Sequence, residues 1–264
     1  MRADVYLTLN GFCESRARAK RSIEDGRLFV NGKCVKKCSF EIADSDKVEL
    51  CGEEMPFVSR GGLKLLGAIR SFGIDVSGFT AVDIGASTGG FTDCLLQHGA
   101  KKVYAVDCGR DQLHKSLRAD ERVKCIEGFN ARELTEDTLG EKCDIAVMDV
   151  SFISQTLLYG AVKSTVRDGG VFVSLIKPQF EAGRAAIGRG GIVKDKKIHV
   201  SVINTVLQRA KECGLYAVAI DVSPIEGGDG NTEYLACFKV SSENTEESLV
   251  DTDTVKRIVE KHRT

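Results

Sequence analysis

Residues 81–92 read Ala-Val-Asp-Ile-Gly-Ala-Ser-Thr-Gly-Gly-Phe-Thr, and no other stretch limits the fold of this chain so strongly. An apolar strand over 80–84 runs into Gly85, Gly89 and Gly90. Phe91, Leu95 and Leu96 then fall on one helical face. Glycine admits positive φ and lets another group come close to the backbone. Strand, glycine turn and helix N-terminus, in that order, form a nucleoside-type cofactor site at the edge of an open α/β sheet. The spacing is Asp-x-Gly-x-x-x-Gly-Gly, not the Gly-x-Gly-x-x-Gly of a dinucleotide fold. An ordinary tight βα turn is the competing reading.

The acid settles which cofactor to expect. A carboxylate just before the first glycine repels a pyrophosphate and suits a cation. S-adenosyl-L-methionine carries a sulfonium and an ammonium group. The expected contacts from this stretch are Asp83, Gly85, Ser87, Gly89, Gly90 and Phe91, with Asp83 near the methionine end or a water network. Asp107 ends the next strand, one βαβ unit on, where a carboxylate takes ribose hydroxyls. Asn130 follows the third strand. It either meets the adenine edge or caps a helix over 131–134.

From residue 80 to 240 strands and helices alternate. The strands fall at 80–84, 102–107, 123–127, 145–149, 170–176, 216–222 and 234–240. The first five are separated by helices, which implies a parallel sheet. The last two are joined by 223–233 alone, which implies an antiparallel pair. The expected fold is α/β: a class I (Rossmann-like) methyltransferase with a seven-stranded, mostly parallel sheet. A dinucleotide dehydrogenase would have a sixth parallel strand instead.

The 264 residues suit one large and one small domain. The expected division is 1–50, a connector 51–58, a catalytic domain 59–243, and an acidic then helical tail 244–264. Net charge is only −1, but residues 1–38 hold nine Lys or Arg against four acids. Residues 177–197 hold six against two. Two basic islands in a neutral chain point to a localised polyanion site. The ten cysteines are scattered without Cys-x-x-Cys, so reduced thiols and no metal are expected. Without a signal core or an apolar span, a cytoplasmic protein that does not engage membranes is expected.

In residues 1–50 two short helices precede a hairpin turning at Asn31-Gly32. Arg2-x-Asp4, Leu7, Gly11, Ser15-Arg16, Ala19, Gly26 and Val30-Asn31-Gly32 resemble the small α+β S4 RNA-binding domain. That resemblance implies RNA contacts from Arg2, Arg16, Arg18, Lys20, Arg21 and Lys33. Phosphate contacts of this kind position a protein without reading sequence. Arg60, Arg184 and Arg189 are further RNA-binding candidates. The latter two lie in a glycine-rich basic loop after Lys177.

The sheet's carboxyl ends carry charge. Asp149 ends the fourth strand, Lys177 the fifth, and Glu233 opens the seventh, while Lys64 begins the helix before the sheet. No Asn/Asp-Pro-Pro-Tyr is there to hold an exocyclic amine, and no Pro-Cys or Thr-Cys to attack a pyrimidine. A hydroxyl acceptor needs a base. A lysine serves where its neighbours and burial favour the uncharged form. A structural ion-pair network is the plainer alternative.

Lys64, Asp149, Lys177 and Glu233 resemble the Lys-Asp-Lys-Glu set of FtsJ-like ribose 2′-O-methyltransferases. Ser59-Arg-Gly-Gly-Leu-Lys64, Asp83-Ile-Gly85, Lys177-Pro-Gln-Phe-Glu181 and the S4-like front end together resemble the TlyA (hemolysin A) family over about residues 2–240. The resemblance implies 2′-O-methylation of cytidine in ribosomal RNA, on the large subunit and in some members also on the small one. It also implies Lys177 as base, Lys64 assisting, and Asp149 and Glu233 orienting. Met55-Pro-Phe-Val58 stands where the family has an interdomain linker implicated in cofactor binding, but differs from the Arg-Ala-Trp-Val of some members. A non-catalytic S4-type assembly factor and a membrane-active hemolysin are the alternative functions.

Overall fold

In the computed structural model, residues 1–52, 55–183, 186–227, 230–243 and 247–261 are described. The chain folds as two units, residues 1–56 and 57–264.

The first unit contains α1 (Ala3–Leu9), α2 (Arg16–Glu24), β1 (Leu28–Val30), β2 (Lys33–Val35) and β3 (Val48–Leu50). Ser15 caps α2, its hydroxyl accepting from Arg18 N. Asn31 and Gly32 both take positive φ, 51° and 75°. That is the twist a two-residue hairpin needs. β1 pairs antiparallel with β2 on one side and β3 on the other. Ala3, Leu7, Ala19, Ile23, Leu28, Val30, Val35 and Ile42 close a small core.

The second unit opens with α3 (Gly61–Phe72), β4 (Thr80–Ile84), α4 (Gly90–Gln97), β5 (Lys102–Asp107), α5 (Lys115–Arg118) and β6 (Val123–Glu127). It continues through α6 (Glu136–Leu139), β7 (Cys143–Met148), α7 (Tyr159–Thr165), β8 (Val166–Ile176), α8 (Pro178–Glu181) and α9 (Lys196–Glu212). β9 (Leu215–Val222), β10 (Tyr234–Val240) and α10 (Thr252–Lys261) complete it. The sheet order is β6-β5-β4-β7-β8-β10-β9. β4 to β8 run parallel, and β10 is antiparallel to both neighbours. β8 begins at Val166, earlier than its apolar run. Cys143 pairs with Val166 before a register shift, so the ladder reaches past Gly170.

Strand alternation sorts the two faces. Val82 and Ile84 join the core with Tyr159, Ile203, Val206, Val255 and Val259, on the side of α7, α9 and α10. Ala81 faces Leu65, Ala68, Leu95 and Leu96, on the side of α3 and α4. The helix of the C-terminal tail is therefore part of the core: Val255 and Val259 are fully buried in it. The two units part between Pro56 and Phe57, within the expected connector 51–58. Phe57 is buried in the second unit, over Gly62, where a Cβ would overlap its ring.

Candidate active site

The glycine turn is held together mainly by the protein itself. Gly89 has φ +95°, and a Cβ there would run into Leu117 and Leu113. Gly85 has φ +85°, with Asp149 O and Val150 each 2.9 Å from where its Cβ would be. The turn is thus packed against the loop that leaves β7.

Asp83 is placed differently from the expectation. It shares Ala81's face of β4 and is fully buried beneath the start of α4. Its Oδ2 accepts from Thr92 N at 2.9 Å and Thr92 Oγ1 at 2.7 Å. Oδ1 has no partner. Neither Asp83 nor Gly89 lines a cavity at the turn. The reason is parity: at this register a β4 side chain points into the α3–α4 layer. Burial pushes the Asp83 carboxyl up to about 7, against the pull of Thr92, with Asp149 and Asp107 adding to the rise.

The sign of the consequence is fixed. The folded value lies above the unfolded one, so between about pH 4 and 7 the folded state holds a proton that the unfolded state has shed. Stability falls as pH rises through that window and is flat above it. The effect is at most about 4 kcal/mol, at 1.36 kcal/mol per unit. Asp83→Asn keeps an acceptor for Thr92 and removes the titration. Its melting temperature, compared with wild type from pH 4.5 to 7.5, should lose that downward slope. Parallel curves would contradict this account.

Asp107 Oδ2 accepts from Ser87 N and Oδ1 from Gly109 N, both at 2.7 Å. Each oxygen keeps a lone pair for a further donor. Asp107 lines a cavity of about 450 Å³ with Gly85, Ser87, Asn130, Asp149, Val150, Ser151 and Phe152. Asn130 does both things open to it: Oδ1 caps the turn at Arg132 N, and the side chain borders this cavity.

A second cavity, of about 330 Å³, shares Gly85, Ser87, Asp149 and Ser151 with the first. Arg60, Lys64, Gly90, Phe91 and Lys177 also line it. Here four charged groups converge from four elements. Lys64 projects from α3, Asp149 follows β7, Lys177 follows β8, and Glu233 precedes β10. The Tyr234–Ile176 register brings the last two to the same end of the sheet. Pro178 at the first position of α8 ends β8 beside Lys177.

Lys64 Nζ donates to Glu233 Oε2 at 2.6 Å and lies 3.8 Å from Asp149 Oδ2. Gln179 Nε2 donates to Glu233 Oε1 at 3.3 Å. Lys177 Nζ stands 2.7 Å from Asp149 Oδ1, close enough for an ion pair but without the alignment of a hydrogen bond. It does donate to Ser151 Oγ, at 2.9 Å. Lys64, Lys177 and Glu233 are all buried.

Several residues here were not among the candidate site residues. Ser151 is one. Phe152 is another: it is 91 % exposed, takes φ 66°, and sits 5.1 Å from the Phe180 ring. Glu181 is a third. Its carboxylate accepts from Ser154 Oγ and Gln155 N, tying the loop after β7 to the segment after Lys177. Burial raises its carboxyl above the usual range despite those bonds.

The other basic candidates are spread out. In the first unit Arg2 and Arg16 both pair with Asp4, at 3.0 and 2.7 Å, and stay largely exposed. The two guanidinium groups hold Asp4 at about 2. Arg18 pairs with Glu14, and Lys20 lies 3.7 Å from Glu24. Arg21 lies in the last turn of α2, and Lys33 is exposed on β2. Arg184 lies outside the described residues, as does the side chain of Arg189. Among the described residues there is no metal-holding cluster, and no helix is long and apolar enough to cross a membrane.

A doubly wound sheet in this order, with an antiparallel strand inserted next to the edge and a glycine turn after its first strand, defines a class I methyltransferase fold. Residues 57–240 match the model of the FtsJ-like methyltransferases, and residues 1–48 match the S4 domain. The chain belongs to the FtsJ-like methyltransferase family and carries an N-terminal S4 domain. It is 44% identical to hemolysin A of Brachyspira hyodysenteriae, over 90% of this chain and 99% of that one. It is 38% identical to the 16S/23S rRNA (cytidine-2′-O)-methyltransferase TlyA of Mycobacterium tuberculosis, over 98% and 97%. A solved Streptococcus thermophilus structure described as a hemolysin superposes with a TM-score of 0.78 at 42% identity, covering 98% and 94%.

Proposed function

We propose that this protein methylates the ribose 2′-hydroxyl of a cytidine in ribosomal RNA, with S-adenosyl-L-methionine as donor, in the cytoplasm. The observation that carries the reading is the buried Lys64–Glu233 and Lys177–Asp149 pairing on a cavity that also borders the glycine turn. The relatives named as rRNA methyltransferases and the S4 domain support RNA as acceptor.

The residues present fit the donor. Gly85 and Ser87 border both cavities at the turn. Asp107 offers lone pairs for ribose hydroxyls, and Asn130 borders the same cavity. Asp83 acts through the turn: it fixes Thr92 and so the start of α4. When bound, S-adenosyl-L-methionine supplies an electrophilic methyl on a cationic sulfur. Lys177 takes the proton of the 2′-hydroxyl at Nζ. Asp149 orients Lys177. Lys64, held by Glu233 and within reach of Asp149, keeps the acid pair balanced and contributes positive charge at the acceptor. Gln179 steadies Glu233. Aligning donor and acceptor supplies most of the remaining acceleration.

Arg2, Arg16, Arg18, Lys20, Arg21 and Lys33 present positive charge for RNA phosphates, and Arg60 does so at the cavity. Arg184 and Arg189 are proposed for the same task on sequence alone. The exposed Phe152, 5.1 Å from the half-buried Phe180 ring beside the cavity, suits a base turned out of its helix.

The test is incubation with methyl-labelled S-adenosyl-L-methionine and unmodified ribosomal subunits, followed by mapping of the label. A label on a cytidine 2′-oxygen is the expected result. Bound RNA without label would leave the assembly-factor reading. Label on a base would overturn the acceptor.

A further inference from the structure

An amine that takes a proton must offer a lone pair in the right direction. An uncharged lysine has two N–H bonds and one lone pair on Nζ. If a single neighbour accepts one N–H, the other N–H and the lone pair can still exchange places. A carboxylate close by biases that choice, because it attracts an N–H and repels the lone pair. Lys177 Nζ has one hydrogen-bonded acceptor, Ser151 Oγ at 2.9 Å, and one carboxylate oxygen at ion-pair distance, Asp149 Oδ1 at 2.7 Å. Only the serine is aligned as a hydrogen bond, since Asp149 Oδ1 has none. The Phe180 ring, 5.7 Å from Nζ, occupies another side.

We propose that Ser151 is a positioning residue that accepts one N–H of uncharged Lys177 and, with the Asp149 carboxylate disfavouring a lone pair on its own side, leaves that lone pair for the acceptor hydroxyl. This rests on reading Lys177 as the proton acceptor. Lys177, Asp149 and Ser151 all line the 330 Å³ cavity, so the acceptor that enters it meets Nζ with the serine and the carboxylate beside it. In the transfer the 2′-oxygen forms its bond to the methyl carbon. The carbon–sulfur bond breaks with its electron pair left on sulfur, which becomes a neutral thioether. The hydroxyl proton passes to Nζ, and the resulting ammonium later loses it to solvent. Ser151 changes no bond of its own.

Ser151 is itself placed from outside the cavity. Glu181 holds Ser154 and Gln155, three and four residues on, and so sets the course of the loop. A positioning role through a hydroxyl separates from a packing role by its chemistry. Ser151→Ala removes the acceptor. Ser151→Thr keeps it and adds only a methyl.

The test is steady-state methyl transfer to unmodified ribosomal subunits, with cofactor affinity measured by calorimetry, for Ser151→Ala, Ser151→Thr and Lys177→Ala. Expected for Ser151→Ala is a kcat lowered roughly ten- to a hundredfold, with the KM for RNA and the cofactor Kd within about twofold. Ser151→Thr should recover most of the loss. A Ser151→Ala enzyme with unchanged kcat overturns the proposal. So does a threonine enzyme no better than the alanine one, or a loss confined to cofactor binding. If Lys177→Ala itself keeps full transfer, the proton-acceptor reading falls. If Lys177→Ala is dead and Ser151→Ala is not, only the serine's role falls.

Discussion

Lys177→Arg should be as inactive as Lys177→Ala, with transfer to RNA lowered about 10²- to 10⁴-fold in both. The arginine keeps the charge and much of the length, and it can still pair with Asp149. It cannot give up its proton at any ordinary pH, so it offers no lone pair. If Lys177 served only to place positive charge near the acceptor, arginine would keep much of the rate. No other described side chain is set to take over. Lys64 is committed to Glu233 at 2.6 Å, and Asp149 is paired with both lysines. Single-turnover methyl transfer would measure the loss, with calorimetry showing cofactor binding within a few-fold of wild type. An active Lys177→Arg enzyme would sink the base role and leave an electrostatic one.

The four charged residues were legible because each is fixed by a regular element. Asp149, Lys177 and Glu233 stand at strand ends, and a doubly wound topology gathers such ends at one crevice. Lys64 needed the resemblance, because nothing in a helix's spacing tells which way its first turn faces. Asp83 is instructive in the opposite sense. Its place before Gly85 suggested a ligand contact, yet strand alternation was already visible in Ala81, Val82 and Ile84. Counting by twos assigns Asp83 to Ala81's face, under α4. Ser151, Phe152 and Glu181 were hidden for a different reason. Their arrangement belongs to a loop with no periodicity, bent by a positive φ at Phe152 and tied by hydrogen bonds between segments 26 or 27 residues apart. For Glu181 the physical signal was chemical: an acid closing a short helix beside buried strands must find donors. In the first unit, the Asn31-Gly32 turn and the Ser15 cap were readable one residue at a time, since each is a local backbone requirement.

The Lys64–Glu233 pair admits a sharper separation of structure from chemistry. Glu233→Ala should destabilise the second unit by about 3–5 kcal/mol, because it leaves the Lys64 ammonium buried with only Asp149, 3.8 Å away. For a unit of this size that is a fall in melting temperature of roughly 6–20 °C. Glu233→Gln keeps the shape and an acceptor, so it should cost less. The double variant Lys64→Met/Glu233→Leu removes both charges. Replacing a buried pair with apolar groups of similar volume is often neutral for folding. Thermal and urea denaturation should therefore find the double variant close to wild type and well above Glu233→Ala. Methyl transfer should nonetheless be lost in it, since Lys64 then no longer supplies positive charge beside Asp149 and the acceptor. A double variant that is stable and fully active would make the pair a fold element alone. One that is as unstable as Glu233→Ala would mean that the site's packing, and not its unpaired charge, sets the cost.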